Sequence, residues 1–382
     1  MKKIAVLGAG LVGGPMAIDL AKDKDFQVTV ADRDKNRLDE LAKNKSLKTT
    51  QMDLSDKEKL REFISGFDLV LSAVPGFMGY DTLKTIIEAG KNVVDIAFFP
   101  EDPFLLDDLA KSKGVSAIVD CGVAPGLSNM LTGMVHYQMQ QTHTVTIYVG
   151  GLPEVRQWPY EYKAVFSPID VLEEYTRPAR IVENGNVVIK TALSEPELID
   201  FTGMGTLEAF NSDGLRSLAK TIKATDMKEK TLRYPGHRAI MEVLRETGFF
   251  DKEEIDVNGV KIKPIDLTSR LLFPKWKLNP GEVDITVMRV EIEGVEAGQK
   301  KVYTFDLLDR YDPETEIHSM ARTTGYTATM GIRLLAADKC EFKGIVPPEY
   351  IGKNRDNVQF ILDGLKERGV VVNENVEILE TM

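Results

Sequence analysis

Three glycines, Gly8, Gly10 and Gly13, follow the apolar run Ile4–Leu7 with the spacing G-x-G-x-x-G. They form the first group in the chain able to seat a charged ligand. Gly8 permits a tight turn, Gly10 lets backbone approach a pyrophosphate, and Gly13 lets a helix pack closely on a strand. With Leu11 and Val12 they open a helix whose N-terminus offers unpaired N–H groups and partial positive charge to phosphate. Asp32 closes a second apolar run, Gln27–Ala31, at the distance where a carboxylate accepts hydrogen bonds from the ribose of NAD. The same carboxylate repels the 2′-phosphate of NADP, whereas Arg33 beside it argues for some NADP use.

A second group of residues has the chemistry of proton transfer and carboxylate binding. The chain has only four histidines, and His237 follows the strand-like Thr231–Tyr234 at a Pro-Gly turn that opens a helix. A neutral imidazole there suits a general base, because its pKa lies near physiological pH. Arg233, four residues earlier, suits a bidentate carboxylate clamp. Tyr162, in Glu161-Tyr162-Lys163, and Asp95, at a strand end, are the alternative proton carriers or partners of His237. Arg322 and Thr323 open a late helix and read as an anion site. Each has a plainer reading: a core or capping histidine, a packed tyrosine in a loop, ordinary first-turn chemistry. Cys121 lacks any sequence feature supplying a base, so an inert strand-end thiol is the simpler assignment.

The elements that must position these residues are legible as an alternation. Strand-like runs at Ile4–Leu7, Val28–Ala31, Leu47–Met52, Leu69–Ala73, Asn92–Ile96 and Ala117–Val119 are separated by amphipathic stretches such as 34–43, 55–65 and 102–113. Asp34, Ser55 and Asp102 are the expected helix caps. Six strands alternating with helices predict a doubly wound parallel sheet, whose ligands sit beyond the carboxyl ends of the strands. That rule adds Asp53, Leu54, Ala73, Val74, Pro75, Asp95, Gly122 and Val123 to the cofactor-binding set. After Pro125 the pattern turns to hairpins. Asn258-Gly259 is a two-residue turn signal, and strands are expected at 187–191, 231–234, 283–293 and 301–308. The fold class is therefore α/β, a Rossmann sheet with an inserted α+β catalytic domain. The expected division is 1–125, completed by 319–382 with a short strand at 370–372, around an inserted 126–318.

Composition narrows the function class. A net charge of −11 disfavours nucleic acid and anionic membrane as partners. No segment approaches the ~18 uncharged apolar residues of a membrane span. The opening apolar run is too short and glycine-interrupted for a secretory signal. Two cysteines, Cys121 and Cys340, supply neither a disulfide framework nor a metal spacing, so a cytoplasmic setting is expected and no metal is.

Several stretches together resemble the saccharopine dehydrogenase/reductase superfamily. They are Gly8-Ala9-Gly10, Gly122–Gly126, Tyr148–Gly151, Arg233–His237 and Met320–Tyr326. Glu161-Tyr162, Leu193–Glu195 and Gly205–Phe210 are most like its NAD-dependent, lysine-oxidising branch. The resemblance spans nearly the whole chain. It implies a Rossmann domain completed by the C-terminal tail, a catalytic α+β domain that also dimerises, and a homodimer or larger homo-oligomer. The implied activity is oxidation of a small amino-acid substrate by hydride transfer to NAD. Where reductases of the superfamily commonly carry a basic residue and use NADP, this chain has Asp32, which favours the NAD-linked branch. A saccharopine- or opine-type reductase and a non-catalytic NAD-sensing protein are the rival readings. The reductase would call on a third anion-binding arginine, with Arg156, Arg177 and Arg180 available.

Overall fold

The early apolar runs become strands because helices cover both of their faces, which is why they read as continuous rather than alternating hydrophobicity. The computed structural model of the chain describes residues 1–279 and 281–379. It comprises two compact units, one of Met1–Gln138 with Ala321–Val372, the other of Met139–Met320 with the tail from Asn373. The chain begins with β1 (Lys2–Leu7), α1 (Gly13–Leu20), β2 (Phe26–Asp32), α2 (Lys35–Leu41), β3 (Leu47–Gln51) and α3 (Lys57–Ser65). It continues through β4 (Leu69–Ser72), α4 (Gly76–Glu88), β5 (Asn92–Asp95), α5 (Asp107–Ser112), β6 (Ser116–Ile118) and α6 (Leu127–His136).

The second unit opens with the long β7 (Gln141–Pro153), then α7 (Pro168–Thr176), β8 (Ala179–Glu183), β9 (Asn186–Lys190), β10 (Glu197–Phe201) and β11 (Gly205–Asn211). Next come α8 (Leu218–Thr221), β12 (Ala224–Arg233), α9 (His237–Glu246), β13 (Ile255–Val257), β14 (Val260–Ile262) and α10 (Pro264–Trp276). The hairpin of β15 (Asp284–Glu296) and β16 (Gln299–Arg310) completes its centre. Finally α11 (Ser319–Ala336) leads to β17 (Gly344–Val346), α12 (Pro348–Ile351), α13 (Arg355–Glu367) and β18 (Val372–Leu379).

The first sheet has the order β17-β6-β5-β4-β1-β2-β3 and is parallel throughout. Its order reverses at β1, so a ligand site is expected beyond the carboxyl ends of β1 and β4. Leu7, Val70, Ile86, Ile87, Val93 and Phe99 belong to the core on one side of the sheet. A buried ion network fastens the late segments to α1. Asp19, 1% exposed, accepts from Arg333 Nη1 and Arg368 Nε, each at 2.7 Å, and from Thr329 Oγ1 at 2.7 Å. Burial works against its charge, but the two guanidiniums more than offset this and hold the carboxyl below its usual pKa.

The second sheet runs β10-β11-β12-β7-β15-β16-β18, with β8 paired to β12 and β9 to β8. β7 is parallel to β12 and antiparallel to β15, so β7 and β12 finish at the end where β15 begins. The Asn258-Gly259 turn takes positive φ at both residues and closes the β13–β14 hairpin as its sequence required. Among the described residues no helix is long and apolar enough to cross a membrane.

Four details differ from the sequence reading. The helix α6, expected in the inserted domain, lies in the first unit. The strand expected at 370–372 runs instead over Val372–Leu379 and joins the second sheet beside β16, so the tail does not end in the Rossmann sheet. Its alternation of Asn and Glu with Val and Ile marks an exposed edge strand, which the parallel sheet could not cover. Residues 380–382 of that expected tail lie outside the described residues. β17, three residues long, extends the parallel sheet to seven strands and was too short to show a period. Asp34 and Asp102 cap as expected, but Asp56 replaces Ser55 as the cap of α3.

Candidate active site

In the first unit the glycine loop meets its steric requirements. Gly8 has φ +107°, and a Cβ there would lie 2.7 Å from the Ala73 carbonyl oxygen; a Cβ on Gly13 would overlap the Gly8 carbonyl. Gly10 differs. A Cβ there would meet only Arg37 Nη1, at 3.4 Å, so the protein's own packing does not demand glycine at this point. The room above Gly10 is a cradle that a ligand's phosphates can enter. No side chain caps α1, although Gly14 N–H donates to the Gly10 carbonyl at 3.1 Å and Pro15 has no N–H to offer.

Asp32 stands at the end of β2 beside this loop. Its Oδ2 accepts the Ala9 N–H at 2.6 Å and its Oδ1 the Asp34 N–H at 2.8 Å, fixing the carboxylate at the loop's rim. Leu11, Arg33 and Asp53 are exposed, Val12 and Ala73 half-buried, and Leu54, Val74, Gly122 and Val123 buried, while Pro75 is exposed at the start of α4. Asp53 accepts the Ser55 N–H and hydroxyl, and these bonds hold its carboxyl below the usual range. The Gly-loop cradle, the uncapped helix and the acid at the end of β2 fit a nicotinamide dinucleotide.

Asp95 is wholly buried at the end of β5, paired in register with Ser72 of β4. Cys121 is also fully buried. Burial, with the nearby Asp95 and Asp120, pushes its thiol far above the usual value, which removes it as a nucleophile. Helix α11 packs on the glycine-loop helix. A Cβ on Gly325 would touch Met16 and Val12, and Thr324 lies 3.3 Å from the position of a Gly122 Cβ. Arg322 and Thr323 are thus buried on a helix that contacts the nucleotide loop.

They do not, however, form a helix-N-terminal anion site. α11 begins at Ser319, so Arg322 and Thr323 already sit beyond the first orphan N–H groups. Two of those groups, Ser319 N–H and Met320 N–H, donate to the Asp284 carboxylate at 2.7 and 3.0 Å. Arg322 Nη2 donates to the Arg368 carbonyl at 3.0 Å. The anion that this helix end attracts is an internal one.

In the second unit His237, Tyr162 and Arg233 do come together, at the end of β12. His237 Nδ1 lies 2.7 Å from the Tyr160 carbonyl, which can only accept, so this nitrogen carries the proton. Nε2 then accepts from Tyr175 Oη at 2.9 Å, and Tyr175 Oη accepts from Arg233 Nε at 3.1 Å. Arg233 also donates to the Leu232 carbonyl at 2.9 Å and pairs with Glu174. Its guanidinium lies 4.6 Å over the Tyr162 ring, and Trp276 meets that ring edge-on at 5.4 Å. The assembly belongs to the unit's hydrophobic core, with Phe210 and Met241.

That geometry corrects two roles. His237 is fully buried with both nitrogens engaged, and burial, with Arg233 adding to it, drives its pKa down to about 3. A ring with that pKa stays neutral near pH 7, accepting from Tyr175 at 2.9 Å. Arg233 is an internal ion-pair residue rather than a substrate clamp, since Tyr175, Leu232 and Glu174 engage its three nitrogens. Tyr162 differs: among the described residues its buried phenol has no hydrogen-bond partner, and burial holds its pKa well above 10.

The residue that sequence reasoning missed is His318. Its Nδ1 lies 3.0 Å from Asp284 Oδ1, and its ring is 30% exposed. Nothing in sequence spacing joins a strand-opening aspartate to a histidine 34 positions on. The one available signal was the rarity of histidine.

Two family models match the chain in succession. The saccharopine dehydrogenase NADP binding domain matches residues 4–118, and the saccharopine dehydrogenase C-terminal domain matches residues 122–370. The mitochondrial alpha-aminoadipic semialdehyde synthase of Mus musculus is 25% identical over 97% of this chain, which spans only 47% of that relative. The chain thus covers about half the length of that relative. A carboxyaminopropylagmatine dehydrogenase of Synechocystis is 25% identical, covering 90% of this chain and 92% of its own. Apo saccharopine dehydrogenase (L-Glu forming) from Saccharomyces cerevisiae superposes with a TM-score of 0.80 at 19% identity, covering 99% of this chain and 100% of that one; it supports the fold alone. With both domain types matched in order over nearly its whole length, the chain belongs to the saccharopine dehydrogenase family.

Proposed function

We propose that this protein is a nicotinamide-dinucleotide-dependent oxidoreductase that oxidises a C–N bond of a small amino acid. Within that class we assign it as an NAD-dependent L-lysine 6-dehydrogenase. The ε-amino carbon loses hydride, and hydrolysis gives 2-aminoadipate 6-semialdehyde, which cyclises to 1-piperideine-6-carboxylate. The observation that carries the reading is Asp32, pinned by the Ala9 and Asp34 N–H groups at the rim of a loop whose second glycine leaves an open cradle. A carboxylate there favours a free ribose over one bearing a 2′-phosphate. The bound coenzyme supplies the hydride acceptor; Gly10, Leu11 and Val12 orient its phosphates and Asp32 its ribose. A homodimer or larger homo-oligomer is part of the same proposal, supported by the apolar side chains Ile255, Val257 and Val260 left exposed on the β13–β14 hairpin.

A saccharopine- or opine-type substrate is the second reading, favoured by the names of the relatives. Against it, all three arginines that a larger polyanion would call on are already paired, Arg177 with Glu173 at 3.5 Å. Arg180 holds both oxygens of Asp213 at 2.8 and 2.7 Å, and Arg156 pairs with Glu161. The test is coenzyme reduction at alkaline pH with lysine, ornithine, saccharopine and simple diamines, each with NAD⁺ and NADP⁺. Lysine with NAD⁺ is expected to give the highest kcat/KM. Preference for saccharopine moves the assignment to the second reading, and coenzyme binding without turnover of any amine removes both.

A further inference from the structure

We propose that His318, held by Asp284, is the proton acceptor of amine oxidation, taking the proton of the substrate ammonium at Nε2. The inference rests on the amine-oxidising reading above and supplies the base which His237 cannot be. Asp284 opens β15 with no exposure to solvent and accepts three hydrogen bonds, from Ser319 N–H, Met320 N–H and His318 Nδ1. An ionised carboxylate only accepts, so the proton of the neutral ring sits on Nδ1 and the lone pair on Nε2. Among the described residues Nε2 has no protein hydrogen bond, and the ring keeps nearly a third of its surface in solvent.

The two imidazoles of this unit are thus built to opposite ends. His237 donates to a carbonyl and accepts from a phenol inside the core. His318 donates to a buried carboxylate through Nδ1, while its Nε2 has no hydrogen bond among the described residues and its ring is 30% exposed. Asp284 is its positioning residue. The titratable groups around the ring are Asp284 on β15, Asp309 on β16, which accepts from Ser319 Oγ at 2.7 Å, and Tyr311, whose ring lies 5.3 Å away. The dyad stands where β15 begins, which is the end of the sheet where β7 and β12 finish.

The chemistry balances with a nicotinamide coenzyme as oxidant. His318 Nε2 removes one N–H proton, leaving a lone pair on the substrate nitrogen. The carbon–hydrogen bond then breaks as hydride to the oxidised coenzyme, and that lone pair forms the C=N bond. Water adds to carbon, the C–N bond breaks, and the amine leaves protonated. Per turnover the coenzyme gains two electrons and one net proton is released.

The experiment compares wild type with His318→Asn and His318→Ala over a pH–rate profile, with coenzyme affinity measured separately by NADH fluorescence. Asn keeps an N–H for Asp284 but has no basic nitrogen. Both variants should bind NADH as wild type does and lose kcat by about 10²–10⁴-fold, with the acid limb of kcat/KM displaced towards the pKa of the substrate ammonium. Added imidazole should restore part of the rate to His318→Ala. Retention of kcat within about threefold overturns the proposal, as does a loss that imidazole does not restore and that leaves the pH profile unchanged. Wild type that turns over no amine removes the proposed function; the ¹⁵N signals of His318 then decide the dyad alone, and a neutral ring protonated on Nε2 overturns it.

Discussion

Acidification tests the assignment of His237 as a buried neutral group. In the unfolded chain an imidazole titrates near pH 6.5, whereas in the fold burial and Arg233 hold His237 down to about 3. Below pH 6.5 the unfolded state therefore binds a proton that the native state refuses. The stability linked to this group is complete above pH 6.5 and is lost as pH falls towards 3, by about 1.4 kcal/mol per pH unit. Between pH 6.5 and 5.0 the loss is about 2 kcal/mol. Glu229 acts in the opposite sense. Burial raises its carboxyl to about 8, so its contribution is present at low pH and fades as pH climbs from about 4.5 to 8. Comparing wild type with His237→Asn cancels that background. Asn retains a donor for the Tyr160 carbonyl but leaves Tyr175 Oη without its acceptor, at a pH-independent cost of about 1–3 kcal/mol. Urea unfolding from pH 5 to 8, followed by tryptophan fluorescence, should show the gap between the two proteins narrowing by about 2 kcal/mol at the acid end. A gap constant across the range would mean that His237 takes up its proton as freely in the fold as in water, and the reasoning would fail.

Further outcomes follow from the same geometry. Gly10→Ala should fold with an unchanged Tm and lose coenzyme affinity, because only Arg37 approaches the added methyl, whereas Gly13→Ala should destabilise the fold by collision with the Gly8 carbonyl; thermal melts and NADH titration separate the two. Asp32→Ala should weaken NADH binding by about 10–100-fold, the worth of charge-assisted hydrogen bonds to the ribose, while leaving NADPH binding equal or tighter, as fluorescence titration will record. Asp19→Asn leaves the largely buried Arg333 with Asp23 alone and Arg368 with only Glu367 at 3.8 Å, and should cost about 3 kcal/mol in urea unfolding. Amine oxidation should rise towards alkaline pH, since a lysine ammonium has a pKa near 10.4; a rate flat from pH 6 to 10 contradicts the deprotonation step.

The parallel sheet was legible because each of its first six strands is a short apolar run closed by a turn, and because Asp34 and Asp102 cap the elements that follow. The Asn258-Gly259 hairpin was legible for the same reason: its chemistry is local. What failed was non-local. Val372–Leu379 has the alternation of an edge strand, but nothing in it names β16 as its neighbour. His237 looked like a base because it follows a strand at a turn; only packing against Tyr175, Tyr160 and Trp276 shows that its nitrogens are spent. Arg322 seemed to open a helix, whereas Asp284, distant in sequence, caps that helix three residues earlier. The glycine loop and Asp32 were readable together because the chain between them is one strand–helix–strand repeat. The His318–Asp284 pair was not, because its partners come from opposite ends of the β15–β16 hairpin.

The central claim is that the loop from Gly8 to Gly13, with Asp32 at its rim, seats a nicotinamide dinucleotide lacking a 2′-phosphate. Calorimetric titration of the purified chain with NADH and with NADPH measures this directly. One site per chain is expected, tighter for NADH. Equal silence towards both coenzymes, or tighter binding of NADPH that Asp32→Ala leaves unchanged, would contradict it.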